Sequence, residues 1–196
     1  MNMTDLFVEL IVAGSGVAVW IFLLLSTVFD LDWANLLPDQ ASSFLLLIPS
    51  LSVVYVFGIV LDRVADHLFA VWDKPLRWRK FKDNAAYHGA RTYVTAYGTE
   101  EISNLFKYHR HRLRICRAWS VNFALLTITA PLSAWVRLSS ASVAVTGFLG
   151  FGFLTVMSWV TWRRLAMNDY KELLETYKFL VTEKEADPKA AVDVRP

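Results

Sequence analysis

The stretch VFGIVLDRVADHLFAVWDK, residues 56–74, decides how the chain is read. It begins as sequence suited to lipid and becomes a charged helical pattern with no helix breaker at the change. Val64, Leu68, Val71 and Trp72 recur at steps of three and four, the spacing of one apolar helix face. The helix is therefore expected to leave the membrane without ending. Pro75 is expected to end or redirect it, because Pro lacks a backbone donor.

Working outward, the chain has 196 residues, of which 55% are hydrophobic and 19% charged. That exceeds the roughly 45–50% apolar share of an ordinary soluble domain. The apolar residues fall in blocks at Leu6–Phe29, 44–61, 119–136 and 141–162. Each block is about the ~17–25 residues that a helix needs to cross a bilayer. A helix satisfies its own backbone hydrogen bonds in hydrocarbon, so the fold class expected is all-α, a polytopic membrane protein with four transmembrane helices. Leu6–Phe29 lacks a basic leader and a small-residue cleavage site and is expected to stay as the first span. Glu9, in its first turn, is the one ionisable residue inside these blocks.

Orientation follows from the basic residues. Segment 62–118 carries twelve of the twenty Lys and Arg, and the chain from Arg163 onward carries seven. Loop 30–43 carries none, and Arg137 stands alone in the turn at 137–140. The positive-inside rule assigns the basic side to the cytoplasm, with both termini there. The organisation expected is a first transmembrane hairpin at 1–61, turning at Pro38 and Asp39, and a basic cytoplasmic helical segment at 62–118. A second hairpin at 119–162, a cytoplasmic C-terminal helix at 163–186 and a disordered tail at 187–196 follow. Helices 2, 3 and 4 extend into the cytoplasmic region. The lone Cys116 excludes an internal disulfide.

In that region residues 83–98 look least regular, with turns at His88-Gly89 and Tyr97-Gly98. Thr99 is a good N-cap for the next helix, with Glu100 and Glu101 in its first turn. Met167, Tyr170, Leu174, Tyr177 and Val181 step by three and four like a heptad seam. This seam and the small-residue ladder Ser142, Thr146, Gly150 are the expected oligomer interface. Gly14 and Ala18 make a second ladder, and Pro49 and Pro131 kink their spans.

Several side chains are candidates for chemistry. Asp62 and Asp66, one helical turn apart, could hold a divalent metal with His67 as ligand or base. No second Asp-x-x-x-Asp occurs on the basic side, so paired surface charges on a solvated helix are the simpler reading. His109 lies on an apolar stripe with Ile102, Phe106, Leu113 and Cys116, where it packs or responds to pH. His109 and His111 are two apart and diverge on a helix, unlike zinc ligands. With Asn122, which is polar within the third span, Asp62, Asp66, His67 and His109 form the candidate functional polar cluster. Arg77, Arg79, Lys80, Lys82, Lys107, Arg110, Arg114 and Arg117 are candidate contacts for anionic lipid headgroups or another anionic ligand. Nucleic acid is the weaker alternative.

No nucleotide loop, Ser-His-Asp set or zinc-protease motif is present, and the spans hold no chain of charges like those in ion carriers. No cofactor and no enzymatic activity are expected. The organisation is similar to that of small polytopic subunits of bacterial stress and anti-phage systems, whose helices extend from the membrane into the cytosol. That resemblance implies a homo-oligomeric sensor, effector or channel-like subunit of a bacterial inner membrane, with anionic lipids and a cytosolic protein as partners. A membrane-embedded metal-dependent lipid enzyme using Asp62, Asp66 and His67, or a scaffold subunit of a larger complex, are the alternatives.

Overall fold

The structure, a computed structural model, describes residues 3–29 and 40–186, with side chains at 6–29 and 48–184. The expected turn at Pro38 and Asp39 and the tail at 187–196 lie outside the described residues. Those residues form five helices: α1 (Met3–Phe29), α2 (Gln40–Trp78), α3 (Asn84–Tyr97), α4 (Glu100–Leu138) and α5 (Ala141–Ala186). Among the described residues there is no strand. Helices α1, α2, α4 and α5 are long and apolar enough to cross a membrane.

The chain divides into two compact units. Unit 1 comprises Met1–Phe69 and Arg114–Trp162, and unit 2 comprises Ala70–Leu113 and Arg163–Pro196. In unit 1, α1 and α2 cross at two glycines. A Cβ on Gly14 would come 1.8 Å from the Val54 carbonyl oxygen, and one on Gly58 would come 1.9 Å from that of Leu10. Backbone faces backbone there, so only glycine fits. Around the crossing pack Ala13, Val17, Leu61 and Ala118. On α4, Asn122 is fully buried and donates from Nδ2 to the Ala13 carbonyl at 2.9 Å. Gly16 makes room for that side chain, since a Cβ there would lie 2.2 Å from Nδ2.

Helix α5 joins α4 through Ser158, whose Oγ donates to the Cys116 carbonyl at 3.0 Å, and through Thr155, 3.4 Å from the Thr127 hydroxyl. Phe69 meets Trp162 edge to face, with ring centroids 4.6 Å apart. Between α4 and α5 the chain reverses over two residues, and Ser139 takes up the left-handed conformation (φ 46°) that so short a turn demands.

Three sequence expectations change here. First, α2 does not stop at Pro75 but runs to Trp78, where the Arg77 carbonyl accepts from Lys80 and Phe81 and closes the end. Second, residues 84–97 are helical. Asp83 caps α3 by accepting from the Ala86 amide at 2.6 Å, and Gly98 ends it by donating to the Val94 carbonyl. His88-Gly89 therefore lies inside a helix. Third, the apolar stripe Val64, Leu68, Val71, Trp72 is exposed, and the buried face of α2 is Leu61, Ala65, Phe69 and Leu76. Thr99 does cap α4, accepting from the Ile102 amide at 3.4 Å.

In unit 2, α3 packs along the last part of α5 in the same chain sense, with Tyr87 against Tyr170 and Tyr93 against Tyr177. The seam read as an oligomer interface thus has a partner within its own chain. Tyr170 and the adjacent Leu173 are buried with Tyr87, Ala90, Val94 and Phe81.

The two glycine environments predict opposite substitution effects. Gly14→Ala forces α1 and α2 apart and should lower the melting temperature of the detergent-solubilised protein. Gly89→Ala, with nothing within 4 Å of the added carbon, should raise stability by ~0.5–1 kcal/mol through helix propensity. Thermal unfolding followed by circular dichroism checks both signs.

Candidate functional site

The charged groups of unit 1 converge where Glu9 (α1), Asp62 (α2) and Arg114 (α4) meet. The Arg114 guanidinium grips Asp62 with two bonds, Nε to Oδ1 at 3.0 Å and Nη2 to Oδ2 at 2.7 Å. It also lies 3.3 Å from Oε1 of Glu9, whose side chain is only 6% exposed. The planar fork of arginine matches a carboxylate in this bidentate way, and a lysine would not. One turn further along α2 and close by on α4, Arg117 Nη2 sits 2.7 Å from Asp66 Oδ1. The two pairs differ in burial. Asp62 is 13% exposed and Asp66 is 44% exposed, so solvent screens the second pair but hardly the first.

Asp62 is thus no solvated surface charge, as the sequence suggested, but an internal ion-pair partner. Both its oxygens face Arg114, and His67 is exposed on the same helix. Among the described residues no three His, Cys, Asp or Glu side chains are placed to hold a metal ion. Asp62, Asp66 and His67 therefore do not form a shared ligand set there. Asn122 sits in the core of unit 1, where, among the described residues, its buried Oδ1 and the buried Trp20 Nε1 have no hydrogen-bond partner.

Unit 2 holds its own polar cluster. Tyr170 donates its hydroxyl to Asp73 Oδ1 at 2.6 Å, and Arg77 Nη2 bonds Asp73 Oδ2 at 2.8 Å. Arg77 also lies over the Tyr87 ring at 4.7 Å. Burial, the Asp73 charge and this bond all push the Tyr170 hydroxyl pKa upward, so it remains a donor. Nearby, His109 Nδ1 faces Asp169 at 3.6 Å and Glu172 at 3.4 Å. Desolvation raises Asp169 to about 6 against the opposing pull of His109 and Arg91, while Glu172 and Asp73 reinforce the rise. Asp169 lies seven residues beyond the apolar run that ends at Trp162.

Of the eight cations expected to meet lipid headgroups, the structure uses Arg77, Arg114 and Arg117 in internal pairs. Arg79, Lys80, Lys82, Lys107 and Arg110 are exposed. The role of Arg114 and Glu9 was missed in the sequence. The signal was there: Glu9 and Arg114 lie near the start of an apolar block, and Asp62 lies at the end of one. With α1 and α2 of opposite sense, those ends fall together.

No family model, curated protein or solved structure matches the chain.

The Asp169 shift fixes the sign of a pH effect. The folded pKa of about 6 stands above the ordinary value of 3.8. The contribution to stability is complete below the ordinary value and is lost as pH rises through about 6. Asp169→Asn should therefore gain on the wild type as pH rises from 4 to 7. Melting curves of both proteins across that range measure the difference. A constant gap would refute the shift.

Proposed function

We propose that this protein is a membrane sensor or effector subunit that couples a cytoplasmic helical unit to its transmembrane helices. The observation that carries this reading is that α2, α4 and α5 each contribute unbroken helix to both units. A rearrangement in unit 2 would thus reach unit 1 through three stiff elements and no flexible linker. In this reading the four long helices form two transmembrane hairpins of an inner membrane. Unit 2 and both termini are cytoplasmic, as the distribution of Lys and Arg favours.

The Arg114 cluster would be the coupling point, because it ties α1 to the two shared helices α2 and α4. Subunits would meet along Ser142, Thr146 and Gly150. These face outward on α5 and line a shallow groove with Val143, Gly147, Phe151 and Leu154. Small residues there allow close helix approach, which drives association in lipid where the hydrophobic effect does not. Exposed Arg79, Lys80, Lys82, Lys107 and Arg110 would meet anionic headgroups or a cytosolic protein partner. The enzyme alternative loses support because Arg114 already occupies the carboxylate of Asp62.

Two measurements test this reading together. In a Cys116→Ser background, an impermeant thiol reagent added to intact cells should label Gln40→Cys and not Asn84→Cys. Protein reconstituted in anionic liposomes should pass small ions and leave lipid headgroups intact. Labelling of Asn84→Cys alone would invert the topology. Headgroup turnover without ion flux would replace the effector reading by an enzymatic one.

A further inference from the structure

Unit 2 carries a second feature that none of the preceding roles uses. Tyr93 and Tyr97, one turn apart on α3, tilt toward each other with ring centroids 4.7 Å apart. Tyr177 of α5 meets Tyr93 edge to face at 5.4 Å. Into this group reaches the ammonium of Lys184, 4.1 Å from the Tyr97 ring centre and 5.8 Å from that of Tyr93. Both distances lie within the ~6 Å over which a ring face attracts a cation. Tyr97 is 52% exposed and Lys184 is exposed, so the group opens to solvent.

We propose that Tyr93 and Tyr97, with Tyr177 packed against Tyr93, form a binding site for a quaternary ammonium group, occupied in the free protein by the chain's own Lys184. The occupant reveals the chemistry: a cation already rests on two ring faces. A primary ammonium is a poor match for such a surface, because its three N–H donors need acceptors and ring faces are weak ones. In water it stays strongly hydrated. A trimethylammonium group has no N–H, is weakly hydrated, and is bulky enough to touch both rings at once. The longer distance from Lys184 to Tyr93 leaves room for that bulk. The ligand can be a free quaternary amine such as choline or the same group on a phosphatidylcholine headgroup. Its entry would displace Lys184 and free the last turn of α5 from α3, which places the site at the end of a helix shared by both units. The site itself follows from unit 2 alone and holds whether or not the effector reading does.

The test uses the full-length protein in a maltoside detergent, titrated with choline and with its uncharged carbon isostere 3,3-dimethyl-1-butanol. Choline should bind and the isostere should not. Lys184→Ala should tighten choline binding by roughly 2- to 5-fold, the range an exposed cation–ring contact is worth. In the Lys184→Ala background, Tyr97→Ala should remove the gain and Tyr97→Phe should keep it. Displacement is read directly as a faster rate of Lys184 acetylation by an amine reagent when choline is added. Faster acetylation in phosphatidylcholine nanodiscs than in phosphatidylglycerol ones, without choline, would assign the lipid headgroup as the source. Acceleration by soluble choline only would assign the free amine. Equal binding of choline and the isostere, or no gain from Lys184→Ala, would overturn the proposal. Because Tyr97 is half exposed, its replacement leaves the core of unit 2 in place, and a melting curve for each variant verifies that.

Discussion

One arginine side chain sets the register of three helices. Arg114 meets both oxygens of Asp62 and reaches Glu9, and Glu9 and Asp62 are largely withdrawn from water. Bringing such charges out of water costs several kcal/mol per ion, which the mutual attraction repays only when geometry is good and each group is bonded. The bidentate grip on Asp62 meets that condition. The pair is weak evidence of net stability but a strong constraint on position, because any slip of α2 or α4 leaves a carboxylate uncompensated. The glycine crossing at Gly14 and Gly58 and the bond from Asn122 to Ala13 lie along α1 from that point, and both require the same register.

The second unit is held by a different balance. Its aromatic rings, Phe81, Tyr87 and Tyr170, stack edge to face and bury the stem of the polar group Asp73–Tyr170–Arg77. Edge-to-face rings add roughly 0.5–1.5 kcal/mol each beyond the area they bury. Tyr170 both packs with its ring and donates its hydroxyl to Asp73, while the Tyr87 hydroxyl accepts from Arg91. Within the chain, α3 supplies rings facing two residues of the apolar seam of α5, Tyr170 and Tyr177.

The four long helices were legible in the sequence because an apolar run of that length has few other uses, and Thr99 announced the start of α4. The buried face of α2 was not. Leu61, Ala65 and Phe69 recur at the same helical spacing as Val64, Leu68 and Val71, and periodicity alone does not say which of two such stripes is buried; the second is the exposed one. Helix α3 was hidden by a weakly apolar composition and by His88-Gly89, although Asp83 and Gly98 marked both ends. The acidic pair at Asp62 and Asp66 was visible, but its partners were not. The pairing of Arg114 with Asp62 spans 52 positions and depends on how the helices are arranged. A single cysteine and the absence of motifs limited the chemistry, and the internal use of Arg77, Arg114 and Arg117 emerged only from tertiary contacts.

The central claim is that Glu9, Asp62 and Arg114 act as one unit, and its most direct test compares a single replacement with a triple one. Arg114→Met strands two buried carboxylates, whereas Glu9→Met, Asp62→Leu and Arg114→Met together remove every charge and keep the volume. Stranding buried charge costs ~3–5 kcal/mol, while apolar replacement of a whole buried cluster is often neutral or stabilising. Thermal unfolding in detergent should therefore show the triple variant melting well above Arg114→Met and near the wild type. A triple variant that melts below Arg114→Met, by the sum of independent losses, would show that the three side chains are not coupled.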